Sequence, residues 1–366
     1  MTRTSSRYTF IAAGLTVGAL LASCTAQPIP SATTSTSSHS TAHPSLGTSV
    51  PSHVTTNLQA PCSVVFLDGT PLVSERDSAR ILEIAEDGTA REIGTVTGVT
   101  GSGEGGLLGM AVDDQSRLYA YSTASSGNRI QRYSVTGTAG SLSLGEPQTI
   151  IDQIPAAGWH DGGRIAFGPD GMLYAATGDA GQRGTAQDPA SLAGKILRMT
   201  PDGDVPEDNP FPDSLTYSYG HRNPQGLAWS DDGTMFATEF GQDTWDELNI
   251  ITPGSNYGWP TVEGIADTDG FTDPVQQWEP SEASPSGMVN IEGTLFIANL
   301  RGQVLRAVPS AHPATSTDYF SGEYGRIRDV AESPDGDLWL ITNNTDGRGE
   351  PGPEDDRILR VHPSMR

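Results

Sequence analysis

Short apolar runs broken by Gly- and Pro-rich turns fill the chain from about Leu58 onward, and no long stretch keeps a 3.6-residue period. One unit is an apolar run, a turn of Asp-Gly type, and a second apolar run. Its turns fall at Asp68-Gly69, Asp113-Asp114, Pro169-Asp170-Gly171, Asp232-Gly233, Glu292-Gly293 and Pro334-Asp335-Gly336. Such turns need positive φ, so each unit predicts a β-hairpin. A second unit follows each hairpin after a variable loop: Arg80–Ile84, Arg129–Tyr133, Lys195–Met199, Glu247–Ile251, Gln303–Ala307 and Arg357–Val361. Apolar and polar residues alternate in these segments, which predicts half-buried strands. The spacing of roughly fifty residues is the size of one four-stranded blade. Six hairpins matched by six following strands predict an all-β, six-bladed propeller over residues 58–366. An open sandwich with chance Asp-Gly turns would not produce matching counts of two separate units.

The N-terminal residues follow a different pattern. Arg3 and Arg7 precede an apolar run from Phe10 to Ala22, which ends in Leu21-Ala22-Ser23-Cys24. The run is too short for a membrane-spanning helix and reads as an export signal over 1–24. A cysteine after Leu-Ala-Ser resembles the bacterial lipobox, which predicts lipidation of Cys24; an ordinary cleaved signal is the alternative. No adjacent arginine pair is present, which favours Sec export. Residues 25–57 are dominated by Ser, Thr, Pro and Ala and predict a disordered tether. His39, His43 and His53 are too irregularly spaced there to suggest a metal site.

Cys24 and Cys62 are the chain's two cysteines. With Cys24 acylated, Cys62 has no disulfide partner, and beside Val64, Val65 and Phe66 it reads as a small core residue. The formal charge of −24 repels nucleic acid and anionic headgroups, so neither is expected as a partner.

In a propeller, the start of each innermost strand lies near the axis. Counting back from the turn carboxylates places Glu104, His160, Arg222 and Arg326 at equivalent blade entries. Arg328, two residues beyond Arg326, falls on the same strand face. His160 is the candidate base. Asp179, at the far end of its hairpin, can orient the imidazole. Converging arginines suggest a polyanionic small ligand, because guanidinium matches carboxylate in bidentate geometry.

These segments resemble the glucose/sorbosone dehydrogenase family of quinoprotein sugar dehydrogenases, nearest its aldose sugar dehydrogenase branch. The carrying motifs begin with Glu104-Gly-Gly-Leu-Leu-Gly109, His160-Asp-Gly-Gly-Arg164 with Gly178-Asp179, and Ser191-Leu-Ala-Gly-Lys-Ile-Leu-Arg198. They continue through Tyr219-Gly-His-Arg-Asn-Pro-Gln-Gly226, Asp246-Glu-Leu-Asn249, Asn256-Tyr-Gly-Trp-Pro260 and Arg326-Ile-Arg328. The resemblance implies an enzyme that oxidises aldoses with pyrroloquinoline quinone (PQQ) and Ca²⁺ and passes electrons to an external acceptor. It implies His160 as the base and Arg222 near the quinone oxygens. Arg301, Arg326 and Arg328 would hold the cofactor carboxylates, with Glu104 and Asn223 also in contact. The catalytic Ca²⁺ would take backbone oxygens of Gly241 and Gln242, and a second Ca²⁺ would take Glu247 and the Tyr257 carbonyl.

The sequence departs from the family at Phe240-Gly241-Gln242, where His-Gly-Pro is common, and at Arg301, where lysine is common. The long insertion that carries aromatic substrate contacts in the glucose enzyme is missing between Gly258 and Met288, which implies a more open pocket. With a lipidated Cys24 the protein would sit at the outer face of a bacterial membrane, held only by its anchor. Two other functions stay open: a metal-dependent lactonase-type propeller hydrolase, and a non-catalytic surface propeller that binds glycans or a protein.

Overall fold

Six four-stranded antiparallel sheets make up the body of the chain. The structure, a computed structural model, describes residues 44–46 and 50–365. Residues 1–43, and with them the expected signal, Cys24 and the first part of the tether, lie outside the described residues.

Each blade starts with an inner strand: Pro61–Leu67, Leu107–Val112, Ile165–Phe167, Pro224–Trp229, Pro285–Ile291 and Ile327–Glu332 in blades 1 to 6. Inner strands pack on their neighbours around the axis, and Ile327–Glu332 meets Pro61–Leu67 to close the ring. Among the described residues the helical element is one 3₁₀ turn, Arg183–Gln187. The hairpin turns lie where the sequence places them. Asp68 and Gly69 both have positive φ (47° and 84°), as do Glu292 and Gly293 (48° and 79°).

The core is six apolar seams, one between each pair of adjacent blades. Alternate residues of a strand feed different seams because successive side chains point to opposite faces. Phe296 joins Leu338 and Leu359 between blades 5 and 6, whereas its neighbours Leu295 and Ile297 join Phe236 and Leu248 between blades 4 and 5. This corrects the half-buried reading of the third strands. Every residue of Lys195–Met199 is buried, since each blade is covered on both faces. Polar positions there are satisfied by pairing: Arg198 meets Asp170 and Asp208, and Glu83 meets Arg91. The fifth of these strands also begins later than expected, spanning Leu305–Pro309.

The tether boundary is corrected as well. Ser52–Thr55, expected to be disordered, is the outer strand of blade 6 and pairs with Ile358–Val361. Pro44–Ser45 pairs with Ser364–Met365, and Leu46 is buried in the seam between blades 5 and 6. A polar Ser-His-Val-Thr segment becomes a strand here because the edge of Ile358–Val361 offers unpaired backbone groups.

Candidate functional site

The inner strands carry their entry residues to one end of the axis. A cavity of about 330 Å³ opens there, lined by Arg76, Glu104, Gln225, Phe240, Arg301, Arg326, Arg328 and Arg348, among others. Arg326 precedes the inner strand of blade 6 and Arg328 is its second residue. Their shared face was expected from a two-residue spacing, and both reach the cavity although the strand's register slips between Ile327 and Asp329.

The guanidiniums are unequally partnered. Arg326 donates to Asp346 (3.2 Å) and to the Asn343 carbonyl (3.2 Å). Arg328 donates to the Gln225 side chain (2.9 Å) and to Cys62 Sγ (3.3 Å). Cys62 is therefore more than a core filler: it is buried, as expected, but faces a cavity arginine. Arg222 donates to the Phe240 carbonyl (3.0 Å) and lies 5.5 Å from the centre of the Trp259 ring. Among the described residues, Arg222, Arg301 and Arg328 form no ion pair within 4 Å, and the buried Nε atoms of Arg222 and Arg328 have no partner. Burial pulls Arg222 and Arg326 below the ordinary guanidinium value, as happens to positive charge that is only partly compensated. One residue beyond Arg328, Asp329 pairs across the axis with Arg164 (2.9 Å), whose Nε donates to the Gln225 carbonyl (3.1 Å).

Beside this cationic cavity stands the histidine pair. His160 Nδ1 donates to Asp179 Oδ1 (2.7 Å). Asp179 also accepts from the Gly181 N–H (2.7 Å) and from Trp259 Nε1 (2.8 Å). Burial alone would raise the Asp179 carboxyl; the His160 and Trp259 hydrogen bonds outweigh it and hold the group below the usual carboxylate value. The loop is tightly built: His160 adopts φ of 60°, and a Cβ at Gly178 would lie 1.9 Å from the His160 carbonyl oxygen. The glycine of Thr177-Gly178-Asp179 is thus required for the histidine and its carboxylate to meet.

Glu104 ties the pair to the cavity. Its Oε2 accepts from the His160 N–H (2.8 Å) and from Asn223 Nδ2 (3.3 Å), and Arg348 approaches its Oε1 (3.7 Å). Asn223 was expected to touch a ligand. It is fully buried, with its Oδ1 accepting from the Gly162 N–H (3.0 Å), and so it also holds Glu104 and the His160 loop.

The expected calcium positions lie on blade 4. Gly241 and Gln242 follow Phe240, and among the described residues no hydrogen bond is donated to either carbonyl. A Cβ at Gly241 would lie 1.7 Å from the Trp245 carbonyl, so only glycine fits. Asp246 accepts from the Gly241 and Ser284 N–H groups (2.8 and 2.6 Å), and burial raises it to about 6. Glu247 accepts from Gly264 N–H (2.7 Å) and Asn249 Nδ2 (3.1 Å); burial, then neighbouring Glu239, push it up to about 8. Tyr257 is buried, stacked on His221, and donates its hydroxyl to the Ile250 carbonyl. Free carbonyls beside crowded carboxylates are hard oxygen donors short of positive charge, which fits Ca²⁺. The unpaired arginines likewise fit a polycarboxylate such as PQQ.

Three residues of the site escaped the sequence reading. Trp259, Arg76 and Arg348 act across blades, and only Trp259 sat in a quoted motif. Lys195 is a fourth addition to the scaffold: fully buried, it donates to the carbonyls of Thr185, Ala186 and Ala193 (2.9, 3.0 and 2.6 Å) and pins the loop that follows Asp179. His312 and His362 are exposed, as expected of surface turns.

Fold and site together define a six-bladed propeller with an axial arginine cavity flanked by a histidine–carboxylate pair. Residues 58–359 match the family model described as glucose/sorbosone dehydrogenase, and the chain belongs to that family of oxidoreductases. It is 50% identical to the PQQ-bound aldose sugar dehydrogenase of Streptomyces coelicolor, with a TM-score of 0.82, covering 86% of this chain and 97% of that one. It is 32% identical over 304 residues to aldose sugar dehydrogenase YliI of Escherichia coli, covering 72% of this chain and 81% of the relative. Quinoprotein glucose dehydrogenase B of Acinetobacter calcoaceticus is 30% identical over 258 residues, covering 60% of this chain and 54% of the relative.

Proposed function

We propose that this chain binds PQQ and Ca²⁺ at the arginine cavity and oxidises aldoses at the anomeric carbon to lactones. The observation that carries this reading is the gathering of Arg301, Arg326 and Arg328 at one axial cavity, where among the described residues Arg301 and Arg328 form no ion pair, beside the His160–Asp179 pair. PQQ is a flat tricarboxylic acid, and Arg301, Arg326 and Arg328 would take its carboxylates in charge-assisted hydrogen bonds. When bound, the quinone supplies a two-electron acceptor for the hydride that leaves C1 of the sugar. Asp179 accepts a hydrogen bond from the His160 Nδ1–H, which keeps that proton on Nδ1 and leaves Nε2 with a free lone pair. Nε2 takes the proton of the anomeric hydroxyl while the C1–H bond breaks, and the C1–O bond becomes the lactone carbonyl. Arg222 would stabilise the negative charge that develops on the quinone oxygens.

Gly241 and Gln242 would hold the Ca²⁺ that polarises the quinone through their carbonyls, and Glu247 with the Tyr257 carbonyl would hold a second. Added Ca²⁺ is expected to raise Tm by several degrees in thermal unfolding, and Glu247→Gln to remove most of that gain. An equal gain in the variant would show that Glu247 is not a ligand.

A lactonase-type metal centre would call for a cluster of carboxylates or histidines. Among the described residues no group of three or more His, Cys, Asp or Glu is placed to hold a metal, and the axis carries arginines. The test of the enzyme is to add PQQ and Ca²⁺ to the purified protein and measure aldose-dependent reduction of an artificial dye. Quinone binding without sugar-dependent turnover would leave a non-catalytic binder.

The N-terminal pattern supports a lipid anchor at Cys24, which would fix the enzyme at the outer face of a bacterial membrane. Cys24→Ala is expected to move the protein from the membrane to the soluble fraction with its dehydrogenase activity intact. Unchanged partitioning on fractionation would remove the anchor from this reading.

A further inference from the structure

Trp259 touches both halves of the site and has no role assigned above. It is buried on the loop after blade 4's third strand, in the Asn256-Tyr-Gly-Trp-Pro260 segment. Its indole N–H donates to Asp179 Oδ2 (2.8 Å), the oxygen that His160 does not use. Its ring lies under the Arg222 guanidinium at 5.5 Å and under that of exposed Arg183 at 5.3 Å. Its backbone is fixed independently: the N–H donates to the Gly220 carbonyl (2.9 Å), and its carbonyl accepts from Gln187 Nε2 (2.7 Å).

A carboxylate serves as an orienter only if its own rotation is stopped. Asp179 uses Oδ1 for His160 and the Gly181 N–H, and among the described residues only the indole is hydrogen-bonded to Oδ2. Without that bond, the carboxylate can turn about its last torsion and carry the imidazole with it. The ring face does a separate job. Among the described residues half-buried Arg222 forms no ion pair and its Nε is unpartnered, so its position rests on the Phe240 carbonyl and on this π-face.

We propose that Trp259 is a positioning residue with two separable arms: its N–H sets the His160–Asp179 pair for proton transfer, and its ring sets Arg222 for the quinone. The inference rests on the quinoprotein reading above.

The experiment uses the full chain loaded with PQQ and Ca²⁺. Trp259→Phe keeps the ring and loses the donor: kcat is expected to fall about 5–30-fold, with KM and quinone Kd within about threefold. Trp259→Leu loses both arms, and quinone Kd, read by direct titration, is expected to rise about 5–10-fold as well. In an Asp179→Ala background, Trp259→Phe is expected to add almost nothing, because its donor then has no acceptor to act through. Thermal unfolding of each variant checks the fold. Full additivity of the Phe and Asp179→Ala effects, or a Phe variant with parental kcat, overturns the proposal while parental sugar oxidation keeps the quinoprotein reading intact. If the parent itself shows no sugar-dependent turnover, it is the quinoprotein reading that fails. The affinity arm is then still judged by the quinone titrations.

Discussion

Replacing His160 by asparagine is expected to lower kcat for aldose oxidation by about 10²–10⁴-fold, the usual cost of removing a positioned general base. Asparagine is close in size and can still hydrogen-bond Asp179, so the loop held by Gly178 and Glu104 should keep its shape. Quinone and Ca²⁺ affinities should stay near parental values in direct titration, which separates lost chemistry from lost binding. Asp179 should stay ionised on mild acidification. Its carboxyl is held below the usual range, so its stabilising contribution is present above the unfolded value and is lost only as pH falls through the depressed folded one. A variant that reduces its quinone with sugar at the parental rate would exclude His160 as the base.

Changing Arg326 and Arg328 together to alanine is expected to weaken quinone affinity by on the order of a hundredfold or more. Each lost charge-assisted hydrogen bond costs about 1.5–3 kcal/mol. The two differ in what is left behind. Without Arg326, Asp346 keeps Arg76 at 3.9 Å. Without Arg328, only Gln225 and Cys62 lose a partner, and neither carries an obligatory charge. Folding should therefore change far less than binding. A double variant that titrates with quinone like the parent would reduce these arginines to structural pairs.

Much of this was legible along the chain for local reasons. Asp-Gly hairpins declare themselves because their backbone needs positive φ, and counting back from them found Glu104, His160 and Arg222 at equivalent entries. The Arg326–Arg328 spacing predicted a shared face through strand periodicity alone. What escaped notice depends on partners far away in sequence. Nothing beside Asn223 in the chain announces that Gly162 and Glu104 meet the two ends of its amide. Cys62 is recognisably buried, but nothing near it announces Arg328. Ser52–Thr55 has the composition of a linker, and only the edge of a strand some three hundred positions later makes it part of a sheet. The doubly buried third strands were misjudged because an alternating pattern cannot distinguish solvent from a neighbouring blade that supplies ion-pair partners.

Blade 6 has a consequence for the order of events in time. Its strands come from both ends of the chain: Ser52–Thr55 from the beginning, and Ile327–Glu332, Leu338–Thr342 and Ile358–Val361 from the end. Arg326 and Arg328, proposed above to hold the cofactor, belong to this blade, and its inner strand seals the ring against blade 1. No N-terminal fragment emerging from a ribosome can thus assemble the cavity. Loading has to wait for the residues up to Val361 to be delivered, and uptake of the quinone becomes a clock for ring closure.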